Sequence, residues 1–250
     1  MGLMTRLAVV LTLVLAGPTF AAETKVAVAA NFSAPAREIA ARFKARTGHD
    51  ATMSFGASGQ FYTQIAHGAP YEVFLSADRE RPERAEAEGL AAPGSRFTYA
   101  MGRLVLFSKT PGLVDGRAAV LTSGRFEKIA IADPRIAPYG AAAIETMRAR
   151  GVYGALRPKI VQGTSITQAY QFVDTGAAEL GFVALSQVYK DGQVSSGSAW
   201  IVPEAMYDPI KQDAVMLKQG ANNPAAVALV EYLQSAEAAR VIESFGYKLP

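Results

Sequence analysis

The chain contains no cysteine. That excludes a disulfide framework, a zinc–thiolate site, an iron–sulfur cluster, a catalytic thiol and a Cys-anchored lipoprotein. Histidine is almost as scarce: His49 and His67 are the two in 250 residues, so a His-rich metal centre is excluded as well. Charge of one sign is nowhere massed. The formal net charge is +3, 19% of residues are charged, and the basic ones are scattered. The chain therefore lacks the strip of Lys and Arg that grips nucleic acid or an anionic membrane. Long apolar runs are missing too, apart from Leu7 to Gly17, which is too short to span a bilayer.

That run reads as an address rather than as part of a fold. Arg6 precedes it, Gly17-Pro18 breaks it, and Thr19-Phe20-Ala21 offers small residues at the −3 and −1 positions of a cleavage site. Residues 1–21 are expected to be a signal peptide, which makes the protein exported, and periplasmic in a host with an outer membrane. The remainder is half apolar and 9% aromatic, a globular composition with length for two lobes of ordinary size.

From Lys25 onward, short apolar runs alternate with helical patterns, the signature of an α/β fold. Lys25 to Ala30, Ala51 to Phe55, Val73 to Leu75, Leu104 to Phe107, Ile129 to Ala132, Ile160-Val161, Leu180 to Leu185 and Ala214 to Leu217 read as strands. Ala36, Ile39, Ala40 and Phe43 recur at i, i+3, i+4 and i+7, as do Ile166, Ala169, Tyr170 and Val173. Such a stripe marks a helix packed on a sheet. Gln60 to His67, a charged segment from Pro82, Ala141 to Arg150, a segment from Asn223-Pro224 and Glu237 to Glu243 are the other expected helices.

Four junctions share one grammar: an apolar strand, a small polar or Gly-containing turn, then a helix. They are Ala29-Ala30-Asn31-Phe32-Ser33, Gly56-Ala57-Ser58-Gly59, Ala137-Pro138-Tyr139-Gly140 and Gly163-Thr164-Ser165-Ile166. Ligands of open α/β sheets bind at the carboxyl ends of strands, where helix N-termini present unpaired N–H groups and about half a positive charge. Converging from two lobes, four such turns would surround a small anion with donors and no cationic side chain. Each turn also fits a plainer role. Ser58, Thr164 and Ser165 suit N-caps, Asn31 can fix its own turn, and Tyr139 can simply pack. Two other chemistries compete: a hydrolase with Ser58 as nucleophile and His67 as base, and an iron site built on the phenolates of Tyr139 and Tyr170. Against the first, "GASGQ" lacks the spacing of a nucleophile elbow; against the second, Tyr170 belongs to an apolar helical stripe.

The stretches "VAVAANFSAPAREIAARF", "GASGQFYTQIAHGAPYEVFLSAD", "PGSRFTYAMGRLVL", "IADPRIAPYG", "AAELGFVALSQV" and "ESFGYKLP" closely resemble periplasmic molybdate-binding proteins, the substrate-binding components of molybdate ABC importers. The resemblance implies a two-lobed type II periplasmic binding protein fold, α/β throughout. Each lobe would be a mixed sheet flanked by helices, with the ligand in the interlobe cleft. One lobe would comprise residues 22–102 and 216–250, the other 103–215, with crossings near Arg103 to Phe107 and Ala214 to Leu217. By the same resemblance Asn31, Ser58, Tyr139 and Ile166 bind the oxyanion, Ile166 through its backbone N–H. Ala30, Ser33, Thr164 and Ser165 are additional candidates. No cofactor is implied, and molybdenum enters only as the oxyanion, with no direct protein–metal ligand. The implied partner is a membrane permease, with no nucleic acid, and the expected state is a monomer. The implied ligand is molybdate, with tungstate nearly indistinguishable from it and sulfate, thiosulfate or phosphate as the alternatives.

Overall fold

The computed structural model describes residues 21–250, so all but the last residue of the expected leader lies outside the described residues. The first sheet gathers β1 (Glu23–Ala29), β2 (Asp50–Gly56), β3 (Val73–Leu75) and β4 (Phe97–Gly102), with α1 (Ser33–Thr47), α2 (Ser58–Ala66) and α3 (Glu80–Ala87) between them. The chain then crosses at Arg103 into the second sheet. There β5 (Leu104–Ser108), β6 (Ile129–Ala132), β7 (Ile160–Gly163) and β8 (Leu180–Ala184) are interleaved with α4 (Val120–Ser123), α5 (Pro138–Ala149), α6 (Tyr153–Leu156) and α7 (Ile166–Asp174). A small hairpin of β9 (Tyr189–Lys190) and β10 (Gln193–Val194) leads to β11 (Ser198–Ile201). The chain returns through β12 (Ile210–Met216) and ends in α8 (Pro224–Leu233) and α9 (Ala236–Ser244).

Strand order is β2-β1-β3-β12-β4 in the first sheet and β11-β5-β8-β6-β7 in the second. In both, the βαβ strands run parallel and the strand that carries the chain across runs antiparallel to them: β12 against β3 and β4, β5 against β8. This is the two-lobed α/β arrangement, with a mixed sheet flanked by helices in each lobe.

Alternation fixes what each sheet face buries. Val26 and Val28 on β1, with Val73 and Leu75 on β3, pack under α1, α8 and α9; Ala27 and Phe74 face the other way onto α2. The stripe of α1 is buried through Ala36, Ile39 and Phe43, and Gly48 closes that helix with φ at 77° and its N–H on the Lys44 carbonyl. Such a left-handed C-terminal residue costs glycine little and any other residue more.

Several differences from the sequence reading concern strands. β12 lies wholly in the first sheet and begins at Ile210, so the return crossing runs through 202–209 rather than at Ala214 to Leu217, and the lobe boundary precedes Ile210 instead of falling at 215/216. Its first half was hidden because Gln212 and Asp213 are polar yet buried. β4 and β11 were also not anticipated, because Thr98, Tyr99 and Ser198 interrupt their apolar pattern.

Candidate functional site

All four strand–turn–helix junctions end at one place, a small pocket between the lobes. It is lined by the ends of β1, β2 and β3 from one lobe and by Ala137, Pro138, Tyr139 and Ile166 from the other. Not one lining residue carries a charge. The positive end of α2 begins at Ser58, that of α5 at Pro138 and that of α7 at Ile166, while Asn31 sits in the short 3₁₀ turn that runs into α1. First-turn amides have no acceptor inside their own helix. Those of Asn31, Ser58, Tyr139 and Ile166 also meet no other acceptor among the described residues, although all four residues are almost fully buried. A buried N–H without a partner is costly, so four around one cavity describe a binding surface for acceptor oxygens.

Ser58 adds a hydroxyl. It does not cap its own helix, whose N-cap is Ala57; its Oγ instead accepts the Ala77 N–H from the end of β3 at 2.9 Å. The Ser58 O–H proton is thereby left to point elsewhere, and Ser58 is 1% exposed. Tyr139 brings two groups to this region. Its amide belongs to the first turn of α5, but its hydroxyl accepts from Gln212 Nε2 at 3.1 Å, where the lobes join. Burial raises the Tyr139 phenol well above its ordinary pKa, so it stays protonated and neutral.

Three of the additional candidates are directed to other tasks. Ser33 Oγ donates to the Ala30 carbonyl at 2.6 Å, closing its own turn. Ser165 is the N-cap of α7, its Oγ accepting from the Gln168 N–H, and Thr164 is exposed with its N–H on Gln168 Oε1. None of these three lines the pocket, whereas Ala30 does. The competing constellations do not assemble. His67 sits exposed at the far end of α2, about 13 Å along the helix from Ser58, with Nδ1 at 2.7 Å from the Thr63 carbonyl. Tyr170 packs tilted against Phe107 at 6.1 Å between ring centres and does not line the pocket.

Sequence reasoning missed a buried polar group behind the pocket: Gln212, Tyr99, Tyr247 and Ser186. Asn31 Nδ2 donates to Gln212 Oε1 and to the Tyr247 hydroxyl, both at 2.9 Å, and the Asn31 carbonyl accepts from Ser186 Oγ at 2.8 Å. The available signal was Gln212 itself, a polar residue in an otherwise strand-like run. Several bonds tie the lobes together around the site. Gly59 N–H donates to the Ile136 carbonyl at 3.0 Å, and Ser186 reaches Asn31 from the second lobe.

Two α/β lobes joined by two crossings, with helix N-termini converging on a charge-free interlobe pocket, define a solute-binding protein of the periplasmic type. Residues 24–248 match the model of the bacterial extracellular solute-binding protein family. The chain is 56% identical over 229 residues to the molybdate-binding protein ModA of Azotobacter vinelandii, covering 92% of this chain and 91% of that one. It is equally 56% identical over 244 residues to ModA of Rhodobacter capsulatus, covering 97% and 94%. The solved structure of the periplasmic molybdate-binding protein of A. vinelandii superposes with a TM-score of 0.88 at 42% identity, covering 91% of this chain and 99% of that one. The chain belongs to the bacterial extracellular solute-binding family, in the same group as these relatives.

Proposed function

We propose that this chain is the periplasmic molybdate-binding component of an ABC importer, and that it takes tungstate equally well. The observation that carries the reading is the pocket of unpaired donors: four amides and the Ser58 hydroxyl, with no charged side chain lining it. Molybdate at neutral pH is a tetrahedral dianion without a proton, and donors alone satisfy its oxygens. Hydrogen phosphate carries an O–H that such a pocket leaves unpaired, at about 1–3 kcal/mol. Sulfate has the same charge and is smaller, so its rejection rests on fit. Tungstate matches molybdate in charge and nearly in size. The two molybdate-binding relatives at 56% identity support the same ligand.

Fixed dipoles and lobe closure hold the ion without a covalent step, and release needs only that the lobes part. The protein on this reading is a carrier with no catalytic residue and no cofactor. It is exported by a cleavable leader, acts as a monomer and hands its ligand to a membrane permease.

Calorimetric titration of the mature protein with molybdate, tungstate, sulfate and phosphate tests this directly. One-to-one binding of the first two, with no heat from the others, is the expected result; preferred binding of sulfate or phosphate overturns the ligand. Ser58→Ala is expected to weaken molybdate binding by about 2 kcal/mol, the value of a hydrogen bond to a charged oxygen. Tyr139→Phe keeps the amide and should cost less, and equal losses would place the phenol, not the amide, on the ligand.

A further inference from the structure

Behind the pocket, a set of buried side chains shares a small number of protons. Gln212 Oε1 faces both Asn31 Nδ2 and the Tyr99 hydroxyl, the latter at 3.0 Å, while Gln212 Nε2 faces the Tyr139 hydroxyl. Tyr99 also lies 3.0 Å from the Ser76 carbonyl, and Tyr247 lies 2.9 Å from the Asn31 carbonyl. In this arrangement some capacity goes unused. The Tyr139 hydroxyl accepts from Gln212 and has only the Tyr247 hydroxyl beside it to take its own proton, and Asn31 Oδ1 receives no donor. Tyr99 has one proton for two acceptors, Ser76 O and Gln212 Oε1.

Turning both carboxamides by half a revolution exchanges oxygen and nitrogen at almost unchanged positions. Tyr99 then gives its proton to Ser76 and accepts from Gln212 Nε2, which also donates to Asn31 Oδ1. Tyr139 donates to Gln212 Oε1, and Tyr247 donates to Asn31. Each of these donors then has an acceptor, and Asn31 Nδ2, no longer held by Gln212 and Tyr247, is free to serve the pocket that Asn31 lines. The two carboxamides cannot turn independently, because turning one alone sets oxygen against oxygen or nitrogen against nitrogen between Asn31 and Gln212.

We infer that Gln212 is the positioning residue for oxyanion selectivity: through its coupled turn with Asn31 it presents Asn31 Nδ2 to the bound ion. This rests on the proposed oxyanion-binding reading. A protonated oxyanion needs Asn31 Oδ1 in the pocket instead, and obtains it only by turning Gln212 back, which takes the Gln212 Oε1 acceptor from Tyr139 and leaves its proton to the Tyr247 hydroxyl alone. A residue that touches no ligand thus discriminates between ions with and without an O–H.

A double-mutant cycle with molybdate as titrant tests the coupling. Gln212→Met is expected to lower molybdate affinity about tenfold when Asn31 is present, and less than twofold in an Asn31→Ala background. It should also narrow the molybdate-over-phosphate ratio by about tenfold, which a purely structural role would leave alone. Equal losses in both backgrounds, or no loss in the first, overturn the inference. Because the variants depend on folding, a second measurement uses the unmodified protein. The Asn31 side-chain amide protons, assigned by nuclear magnetic resonance, should shift on saturation with molybdate, and unshifted resonances overturn the inference. If the wild-type protein does not bind molybdate, the functional reading falls and this inference with it; if it binds and the cycle is additive, the inference alone falls.

Discussion

Between pH 10 and 11 the folded protein should lose about 3 kcal/mol of stability, read by chemical denaturation at each pH. Tyr99, Tyr139 and Tyr247 are buried, and burial raises all three phenols above the ordinary value near 10. A raised folded-state pKa means that the native protein holds the proton while the unfolded chain releases it. The stabilising contribution is therefore complete below pH 10 and is lost as pH rises beyond it. Each phenol contributes about 1 kcal/mol over that first unit, by linkage. Arg96, hydrogen-bonded to Glu86 and, at 2.8 Å, to Asp213, has its pKa raised by these partners and keeps its charge in this window. Tyr139→Phe should reduce the pH-dependent loss by about 1 kcal/mol. A stability profile flat to pH 11 would mean that the phenols are ionised or hydrated in the native state, contrary to their burial.

The same three phenols explain why binding chemistry here is insulated from pH. No titratable group lines the pocket except Tyr139, and its proton is held by the low-dielectric interior. The donors around the cavity are amides and hydroxyls that keep their protons throughout the physiological range. Selectivity must then come from geometry and from the count of donors and acceptors, which places weight on buried carboxamides whose two ends differ only in sense.

The four junctions were legible in the sequence because each breaks a strand pattern with small residues and resumes at helical spacing. Their convergence was not legible, because it depends on how two separate sheets face each other. Ser58 and Ser165 illustrate the limit. Both are serines at helix starts, yet Ser165 caps its helix while Ser58 holds the Ala77 amide of a different strand. Composition at the turn is identical in kind; only the approach of β3 separates the roles. Tyr139 was legible as a candidate, but the different surroundings of its amide and its hydroxyl were hidden, since the hydroxyl's partner Gln212 lies 73 residues away. Gln212 and Asp213 broke the apolar run that marks a strand, so Gln212, which bonds Asn31 and Tyr139 behind the pocket, also helped to obscure β12 and the position of the return crossing.

Gly140→Ala should be the most damaging single-methyl change at the site, and Gly154→Ala its control. A Cβ on Gly140 would run into the carbonyl oxygen of Ala132 and come within 3.0 Å of the Asp133 carbonyl carbon. Both belong to the backbone at the end of β6, which has no rotamer to yield. The helix must therefore back away from the strand, and with it go the Tyr139 amide and the walls formed by Ala137 and Pro138. Overpacking of this kind costs about 3 kcal/mol. That corresponds to roughly 6–12 °C in Tm for a chain of this size. Molybdate affinity should fall at least tenfold, because a donor held at the wrong distance forfeits a charge-assisted hydrogen bond. At Gly154, in α6, nothing stands within 4 Å of the added methyl. Alanine there should leave affinity unchanged and raise stability by up to about 1 kcal/mol, since it restricts the unfolded chain and favours helix. If Gly140→Ala melted and bound like wild type, α5 could not be seated on β6 as closely as the geometry requires. The amide of Tyr139 would then lose its claim on the ligand.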